Sequence, residues 1–389
     1  MHELIHKNLD ILIIPSWYPT DMDPSEATFF REQAQALAAR GHSVTVVFTR
    51  PYSLKAVVRM KKMRLGLTDK IVSGVREIIS YIPKTHIPVF DEAVRFLCGK
   101  LLLKKWTKQV GKPNIVHIHV YQAGLLGKWY QNYYGVPMIV TEHFTGFKRN
   151  IVRGRELRKA KSVYMSSRHN IAVSLPFAEL LKQKTGINFD VISNIVDTKM
   201  FYPAEKLPEE SFIYLYVGNM IHTKSPEKLL LSFYNEYKID NSLRLVMVGT
   251  GNLLDYLKRL ANRLKISHAV EFPGYLERAE VASIMRKVNA FVLPSQFETF
   301  GIVVIEAMAS GLPVISTRCG GPESIIIDGI NGFLVEPDCR ELQAAMNKTR
   351  KRDWDRNAIR NYAESNYSKD CIMEKIENLY TNTIAGFNE

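Results

Sequence analysis

The sequence has few cysteines, no long apolar run and no low-complexity segment. Its four cysteines form no C-x-x-C pair, so we expect neither a disulfide scaffold nor a cysteine zinc site. No apolar run approaches the ~20 residues of a membrane-spanning helix, and the N-terminus lacks a signal-peptide pattern. The cysteine usage favours a reduced, cytoplasmic setting. The P-loop pattern G-x-x-x-x-G-K-[ST] is also missing. What remains, 389 residues of which 46% are hydrophobic, predicts a globular chain of two or three domains.

Acidic residues are scarce in one region, and this imbalance is informative. The chain carries a net charge of +13, and residues 55–112 contain 14 Lys and Arg against 4 Asp and Glu. Within this region, residues 54–67 and 93–110 combine bases with apolar side chains. That pattern is typical of an amphipathic helix on an anionic membrane surface, and it would also suit nucleic acid. No recognised nucleic-acid motif is present, so we expect no nucleic-acid partner.

A plain packing interpretation of the same region stays open. In it, Phe96, Leu97, Leu101 and Leu103 belong to a hydrophobic core and the lysines are simply solvated. The sequence alone does not decide between this interpretation and contact with a membrane.

Short β-type runs alternate with helical patterns along the chain, which predicts a parallel α/β architecture. In the first half, strands are predicted at 10–14, 43–49, 115–120, 137–141, 170–174 and 190–193. The pattern restarts after a Pro-containing polar segment near 195–210, with strands predicted at 212–217, 243–248, 270–272, 290–293 and 313–316. Two α/β domains of similar size are therefore expected, followed by a helical tail over 353–387.

The first helix is predicted from its end signals. Asp23 is the expected N-cap, with Pro24 and Glu26 as the first and third helical residues, and Gly41 is the expected stop. Asp21-Met22-Asp23 also forms a D-x-D pattern. We interpret it as part of this helix start and not as a metal site.

Several candidate ligand-binding groups follow predicted strands, at the sheet edge where open parallel sheets bind ligands. Gly218 and Asn219 follow one strand and lead to Lys224, which lies near a helix start where it could meet a phosphate. It could equally be a solvated lysine. Glu142-His143 follows another strand, and a lone histidine there is more often structural than catalytic.

The stretch from Glu298 to Pro313 is the most unusual part of the sequence. Glu298 lies in the loop before a predicted helix, and Glu306 lies inside that helix, where all neighbouring residues are apolar. A buried carboxylate is costly unless it has a partner. The spacing alone leaves an ordinary capped and hydrogen-bonded pair of glutamates as probable as a binding site. Gly301 would let a ligand approach the backbone at the helix start.

Together these motifs resemble a known family. Glu298 and Glu306 match the E-x7-E motif of retaining glycosyltransferases of family 4, with E-T-F-G inside it and A-M-A-S-G-L-P-V-I after it. Matching segments elsewhere include P-S-W-Y-P at 15–19, T-E-H at 141–143, N-I-V-D at 194–197 and G-G-P-E at 320–323. The resemblance implies the GT-B fold, in which two Rossmann-like domains face each other across a cleft. It implies an acceptor domain over 1–195, a donor domain over 196–369, and a tail, 370–389, packing back on the first domain.

The resemblance also implies roles for individual residues. Glu298 would bind the hydroxyls of the donor sugar, Glu306 the nucleotide ribose, and His143 would lie beside the reacting sugar carbon. Lys224 would bind the donor diphosphate. The remaining positions implied for the donor are the amides of Phe300, Gly301 and Ile302, the Gly218-Asn219 turn, and the base-binding segment with Tyr275 and Leu276.

The implied reaction moves a sugar from a UDP- or GDP-sugar to a glycan or lipid-linked acceptor, with no metal or other cofactor. Capsular or exopolysaccharide assembly on the inner face of the cell membrane would suit the basic region. Two departures from the family pattern stand out. Asn219 replaces the usual arginine, and Glu26-Ala27-Thr28 stands where a Gly-Gly loop is usual. A catalytically weak or silent nucleotide-sugar-binding relative is therefore the alternative.

Overall fold

The structure, a computed structural model, describes residues 8–21, 23, 26–53, 66–85, 87–205 and 211–388. The chain forms two compact units. Unit 1 contains the described residues up to Ala172, the segment Ala178–Ile192, and the described residues from Met373 onward. Unit 2 contains Val173–Phe177 and the described residues of Ser193–Ile372.

Unit 1 is built around an eight-stranded sheet with the order β3-β4-β2-β1-β5-β6-β7-β8. Its strands are β1 (Asp10–Pro15), β2 (Ser43–Ser53), β3 (Gly66–Val72), β4 (Val75–Lys84), β5 (Ile115–His119), β6 (Met138–Glu142), β7 (His169–Ala172) and β8 (Asp190–Val191). The connecting helices are α1 (Thr28–Ala39), α2 (Pro88–Val110), α3 (Tyr121–Tyr134), α4 (Gly154–Tyr164) and α5 (Leu175–Thr185). Neighbouring strands are parallel except β3 and β4. The six strands predicted for this half are confirmed in position.

The hairpin of β3 and β4 was not predicted. β3 is the edge strand, and its residues are exposed or half-buried, so it lacks the apolar run that marks the inner strands. The basic segment 54–67, interpreted as an amphipathic helix, ends inside β3 at Gly66 and Leu67, while residues 54–65 lie outside the described residues.

The predicted start of the first helix is wrong, although its end is confirmed. α1 begins at Thr28, with Ala27 as its N-cap in a left-handed conformation. The backbone of Asp23 instead exchanges hydrogen bonds with Thr20, each with an N···O distance of 3.1 Å. Gly41 follows the helix with φ +94°, the conformation expected of a glycine that stops a helix.

Helix α2 carries the second basic segment, and the packing interpretation is wrong for two of its four apolar residues. Leu103 is fully buried and Phe96 is half-buried, but Leu97 and Leu101 are 56% and 60% exposed. Phe90 is also exposed. It lies seven residues before Leu97, and Leu97 lies four residues before Leu101, so all three side chains share one face of the helix. Among the described residues, no helix is both long and apolar enough to cross a membrane.

Unit 2 has a six-stranded parallel sheet with the order β11-β10-β9-β12-β13-β14. Its strands are β9 (Ile213–Val217), β10 (Arg244–Val248), β11 (Val270–Gly274), β12 (Ala290–Leu293), β13 (Val314–Thr317) and β14 (Gly332–Val335). Its helices are α6 (Pro226–Tyr237), α7 (Leu254–Arg263), α8 (Arg278–Met285), α9 (Ile302–Ala309), α10 (Cys339–Lys351) and α11 (Arg356–Tyr367). The five predicted strands are confirmed, and β14 was not predicted. The hydrophobic core of unit 2 includes the fully buried Tyr214, Phe233 and Leu245.

The predicted helical tail is confirmed as two helices, α11 and α12 (Lys369–Asn388). α12 begins in unit 2, and from Met373 onward its residues belong to unit 1. There, Glu377 accepts two hydrogen bonds from Arg40 at 2.7 and 2.9 Å and lies 3.0 Å from Nε2 of His42. Tyr380 is fully buried, with its hydroxyl 2.6 Å from Nδ1 of His117.

Candidate active site

The carboxyl ends of the unit 2 strands gather several of the predicted residues at one sheet edge. β9 lies between β10 and β12, and all three are parallel, so the loops that follow them are neighbours. Backbone hydrogen bonds join these loops: Gly218 N donates to Val248 O at 3.0 Å, and Met220 N donates to Thr250 O at 2.8 Å. A Cβ on Gly249 would lie 2.0 Å from Gly218 O, so only glycine permits this approach.

Lys224 and Glu298 form the central ion pair of this edge. Lys224 ends a short 3₁₀ turn after β9, and Glu298 lies in the loop after β12. Nζ of Lys224 donates to Oε1 of Glu298 at 2.6 Å, and Oγ of Ser295 donates to the same oxygen at 2.8 Å. The sequence motifs named both charged residues, and the structure brings them together. Oε2 of Glu298 receives neither of these two hydrogen bonds.

The start of α9 presents a run of backbone amides beside Glu298. Gly301 is the N-cap, with φ +98° and ψ 64°, a conformation that costs other residues about 1–2 kcal/mol. Among the described residues, the amides of Phe300, Gly301 and Ile302 donate no hydrogen bond within the protein. Phe300 is buried with its ring 5.8 Å from that of Tyr367, which fixes the loop. The amides are therefore held in place and available to an anion.

Glu306 is buried inside α9, as its apolar neighbours predicted, and its partner comes from this chain. Nη2 of Arg278, the first residue of α8, donates to Oε1 of Glu306. The guanidinium carbon of Arg278 also lies 5.4 Å from the ring centroid of Phe201. The ion pair with Arg278 compensates the buried charge of Glu306 without any ligand. A ribose that binds Glu306 would therefore have to share or replace this contact.

The other predicted donor positions surround this edge. Asn219 is exposed, and its carbonyl accepts a hydrogen bond from the Tyr216 hydroxyl at 2.9 Å. Burial, with a further contribution from Glu298, raises the pKa of Tyr216, so its hydroxyl stays a donor. After β11, Tyr275 is about half exposed and Leu276 is half-buried.

His143 belongs to unit 1, where a buried carboxylate shapes the turn that carries it. Oε1 of Glu142 accepts hydrogen bonds from the amides of His143 and Phe144 at 3.0 and 2.9 Å. Oε2 accepts from the Tyr121 amide and the Tyr164 hydroxyl at 3.0 and 2.6 Å. Burial raises the pKa of Glu142, while these four hydrogen bonds oppose that shift. Glu142 therefore fixes the backbone at the end of β6.

Two further histidines lie behind His143. Nδ1 of His119 is 3.2 Å from Nε2 of His143, and the His117 and His119 rings are 4.3 Å apart. Burial lowers the pKa of His117 and of His143 to about 3, and lowers the pKa of His119 well below its ordinary value. All three rings are therefore neutral at pH 7, and one of the facing His119 and His143 nitrogens can donate to the other.

Two family models match this chain, one after the other along the sequence. A family model described as Glycosyltransferase Family 4 matches residues 27–200, and one described as Glycosyl transferases group 1 matches residues 199–366. The chain belongs to glycosyltransferase family 4. This glycosyltransferase is 25% identical over 357 residues to a glycogen synthase of Mycobacterium tuberculosis, covering 86% of this chain and 84% of the relative. It is also 25% identical over 390 residues to an uncharacterized glycosyltransferase of Methanocaldococcus jannaschii, covering 94% of each.

Solved structures show the fold of this glycosyltransferase. Sucrose-phosphate synthase from Thermosynechococcus elongatus superimposes with a TM-score of 0.76 at 20% identity, covering 97% of this chain and 100% of the other. Alr3699/HepE of Anabaena, in complex with UDP, superimposes with a TM-score of 0.74 at 17% identity, covering 96% and 100%. The two Rossmann-like units therefore form a GT-B fold.

Three residues that contact the predicted site residues were not predicted from the sequence. Ser295 contacts Glu298, Arg278 contacts Glu306, and His119 contacts His143. Only His119 left a usable signal, because His117 and His119 alternate on a strand and so share one sheet face. The described residues contain no group of three or more metal-binding side chains. Asp21, from the D-x-D pattern, accepts a hydrogen bond from Lys70 at 2.6 Å.

Proposed function

We propose that this enzyme transfers a sugar from a UDP- or GDP-sugar to a hydroxyl of a glycan or lipid-linked acceptor, with retention of anomeric configuration. The observation that carries the proposal is the Lys224–Glu298 pair beside the amides that start α9. An ammonium group and backbone N–H groups suit a diphosphate, while a carboxylate suits sugar hydroxyls. Both kinds of group occur at one sheet edge of unit 2.

In the proposed mechanism, departure of the nucleoside diphosphate is the step that the protein assists most. The diphosphate recruits Lys224 and the amides of Phe300, Gly301 and Ile302, which stabilise its developing negative charge. Glu298, released from Lys224, accepts hydrogen bonds from the donor sugar. The acceptor hydroxyl attacks from the face that the diphosphate leaves and passes its proton to the departing phosphate oxygen, which gives retention without a strong general base. We assign neutral His143 to a position beside the reacting sugar carbon, where its ring can accept or donate one hydrogen bond.

The remaining donor contacts are assigned by position. Glu306 binds the ribose, Tyr275 and Leu276 flank the base, and Gly218 with Asn219 forms the turn near the phosphates. Because Lys224 and the amides supply positive charge, we propose that no metal takes part. Activity should then survive EDTA. The UDP bound to HepE and the ADP bound to a starch synthase among the similar structures support a nucleoside-diphosphate donor.

The experiment that tests the function is a donor panel with a product analysis. Thermal shifts with UDP-, GDP- and ADP-sugars identify the bound nucleotide, and release of nucleotide identifies turnover. NMR of the transferred sugar's anomeric proton then distinguishes retention from inversion. Transfer with inversion contradicts the proposed mechanism, and lack of binding to any nucleotide sugar contradicts the proposed function.

A silent nucleotide-sugar-binding relative is the second candidate, and Asn219 is the observation that favours it. The family's usual arginine is missing there, and the exposed amide side chain brings no charge to the diphosphate. This candidate predicts nucleotide binding without transfer and without slow donor hydrolysis. If Asn219→Arg creates measurable turnover in an otherwise silent protein, the second candidate is correct.

We also propose that the enzyme works on the inner face of the cell membrane, in assembly of a surface glycan such as a capsular or exopolysaccharide. Helix α2 exposes Phe90, Leu97 and Leu101 along one face, and Lys105 and Lys108 are exposed toward its C-terminal end. Apolar residues followed by lysines match a membrane surface with anionic headgroups. One similar structure is a lipopolysaccharide outer core galactosyltransferase, which supports a surface-glycan role.

Vesicle sedimentation tests this membrane contact. We expect binding to vesicles containing phosphatidylglycerol, weak binding to pure phosphatidylcholine, and loss of binding in Lys105→Glu/Lys108→Glu. Lys258→Glu/Lys287→Glu makes the same charge change at exposed lysines of unit 2 and should keep binding. Vesicle binding that depends neither on anionic lipid nor on the charges of α2 would contradict the proposal.

A further inference from the structure

Unit 1 contains a cavity of about 270 Å³ at the carboxyl ends of β1 and β2, beneath helices α2 and α3. Pro15 and Thr49 line it from the sheet, Phe96 and Leu126 from the helices, and Lys159 from α4. Small-molecule pockets are typically about 300–1,000 Å³, so this cavity suits one ring and not an extended chain of rings.

The cavity contains polar groups that the protein leaves without partners. Oγ1 of Thr49 and Oε1 of Gln122 are buried and make no hydrogen bond with any described residue. Thr49 is only 5% exposed. A buried polar atom without a partner costs about 1–3 kcal/mol, and such atoms are rare unless something else satisfies them.

Arg95 adds an underused donor to the same cavity. Among the described residues its guanidinium makes one hydrogen bond, from Nη2 to Ser16 O at 3.4 Å. Burial lowers the pKa of Arg95, and Arg50 lowers it further, whereas Glu92 opposes the shift. The guanidinium is half-buried and has one hydrogen-bond partner among the described residues, so most of its N–H groups are open to a ligand.

The carboxylates that line the cavity are already engaged and disfavour a bound anion. Nζ of Lys159 lies 2.6 Å from Glu92 and 2.9 Å from Glu156, and Asp91 accepts a hydrogen bond from the Thr85 amide at 2.7 Å. A phosphate would accept from Arg95, but its negative charge would face these carboxylates. A hydroxyl group both accepts and donates, so it can satisfy Gln122 in either orientation of its amide.

We infer that this cavity binds a neutral sugar ring, and that this ring is part of the acceptor. The assignment to the acceptor rests on the proposed function. Hydroxyls of the ring meet Thr49, Gln122 and Arg95, and its C–H surface packs on Phe96 and Leu126. β5 lies between β1 and β6, and all three strands are parallel, so Pro15 at the end of β1 and His143 after β6 lie at the same edge of the unit 1 sheet, with the cavity on the α2 and α3 face. This shared edge is the basis for assigning the bound ring to the acceptor.

Saturation-transfer NMR on the whole protein tests this site, with methyl α-glycosides of glucose, galactose, mannose and N-acetylglucosamine as probes. We expect at least one glycoside to bind, and its affinity to fall about five- to tenfold in Thr49→Val and in Gln122→Met, the loss of one hydrogen bond each. Thr68→Val is the matched control, because Thr68 lies on β3 and its hydroxyl already donates to Ile79 O. Thr49→Val removes a hydroxyl without a partner, so its Tm should stay equal or rise, which separates a binding role from a structural one.

Each outcome separates this inference from the proposed function. If no glycoside binds, if neither cavity variant weakens binding, or if inorganic phosphate displaces the glycoside, the sugar site is wrong. If glycosides bind in the cavity but no nucleotide sugar is bound or consumed, the proposed function fails and the sugar site stands. If the enzyme transfers sugar while both cavity variants keep the acceptor KM, transfer stands and the assignment of the cavity to the acceptor fails.

Discussion

Lys224 and Glu298 are 74 residues apart in sequence, yet Nζ of one donates to Oε1 of the other at 2.6 Å. The pair is partly exposed, with side-chain exposures of 27% and 11%, so it adds little to stability. Its main consequence is electrostatic. The carboxylate holds the ammonium group at the sheet edge, and each charge balances the other. In the proposed mechanism, a ligand with both phosphates and hydroxyls separates them.

Replacing Lys224 with methionine should lower kcat/KM by about 10²–10³-fold, because the leaving diphosphate loses its one assigned side-chain cation. The Tm should change little, since the lost pair is partly exposed. Lys228→Met is the control, as Lys228 lies four residues later and donates to Pro337 O. Initial rates of nucleotide release measure the effect. Similar losses in both variants would refute a specific role for Lys224.

Glu306→Gln should weaken nucleotide binding about 10- to 100-fold, the value of one hydrogen bond to a charged group. The amide keeps the shape of the carboxylate but loses the charge that pairs with Arg278. Thermal shifts over a concentration series of UDP, GDP and ADP measure the affinity. Glu341→Gln, in the first turn of α10, is the control. An unchanged affinity in Glu306→Gln would remove the ribose assignment.

Gly301→Ala should cost about 1–2 kcal/mol of stability and should also reduce nucleotide binding. The cost comes from a side chain forced to φ +98°, with its Cβ 3.3 Å from Val304 Cγ2. Relief of that strain would turn the amides at the start of α9. Gly329→Ala has a similar positive φ of +73° in open space, so it should lose stability but keep binding. Chemical denaturation and nucleotide titration, made on both variants, separate the two effects.

Unit 1 should lose stability as the pH falls below about 6.5. Burial lowers the pKa of His117 and His143 to about 3, whereas an unfolded histidine titrates near ~6.5. Between these values the unfolded chain binds more protons, so the free energy of unfolding decreases with decreasing pH. Each histidine contributes at most about 1.4 kcal/mol per pH unit, and none of this stability is lost above pH ~6.5.

Urea denaturation between pH 7.5 and 4.5 measures this dependence. Trp354→Phe removes the one tryptophan of unit 2, so the fluorescence then reports on Trp17, Trp106 and Trp129 of unit 1. In that background, His143→Gln should flatten the pH dependence, and His268→Gln, at an exposed position, should leave it unchanged. A pH dependence equal in all variants would show that His143 does not cause it.

The sequence predicted the parts of the fold whose signals are local. β12 and β13 are short apolar runs bounded by turn residues, and both were found where expected. β3 was missed because an edge strand with Thr68, Asp69 and Lys70 lacks that run. The start of α1 was misplaced because Asp23 fits an N-cap locally, whereas the chain bridges Thr20 to Asp23 and enters the helix through Ala27.

The candidate site was predicted unevenly for a similar reason. Motif spacing identified Glu298 and Glu306, and burial of Glu306 followed from its neighbours. The partner of Glu306 could not be predicted in this way, because Arg278 lies 28 residues away on another helix and no sequence pattern links the two residues. Leu97 and Leu101 show the same limit, since helical spacing tells which residues share a face but not whether that face is covered.

The pairing of His117 with Tyr380 places the completion of unit 1 late in protein synthesis. The two residues are 263 positions apart, so at about 5–20 residues per second the hydroxyl is added roughly 13–50 s after the imidazole. The interval between synthesis of Arg40 and His42 and synthesis of their partner Glu377 is longer still. Throughout that interval the first strands of the nascent chain cannot close their core with α12. The core of unit 1 is therefore completed only after unit 2 has been synthesised, even though the strands of unit 1 are made first.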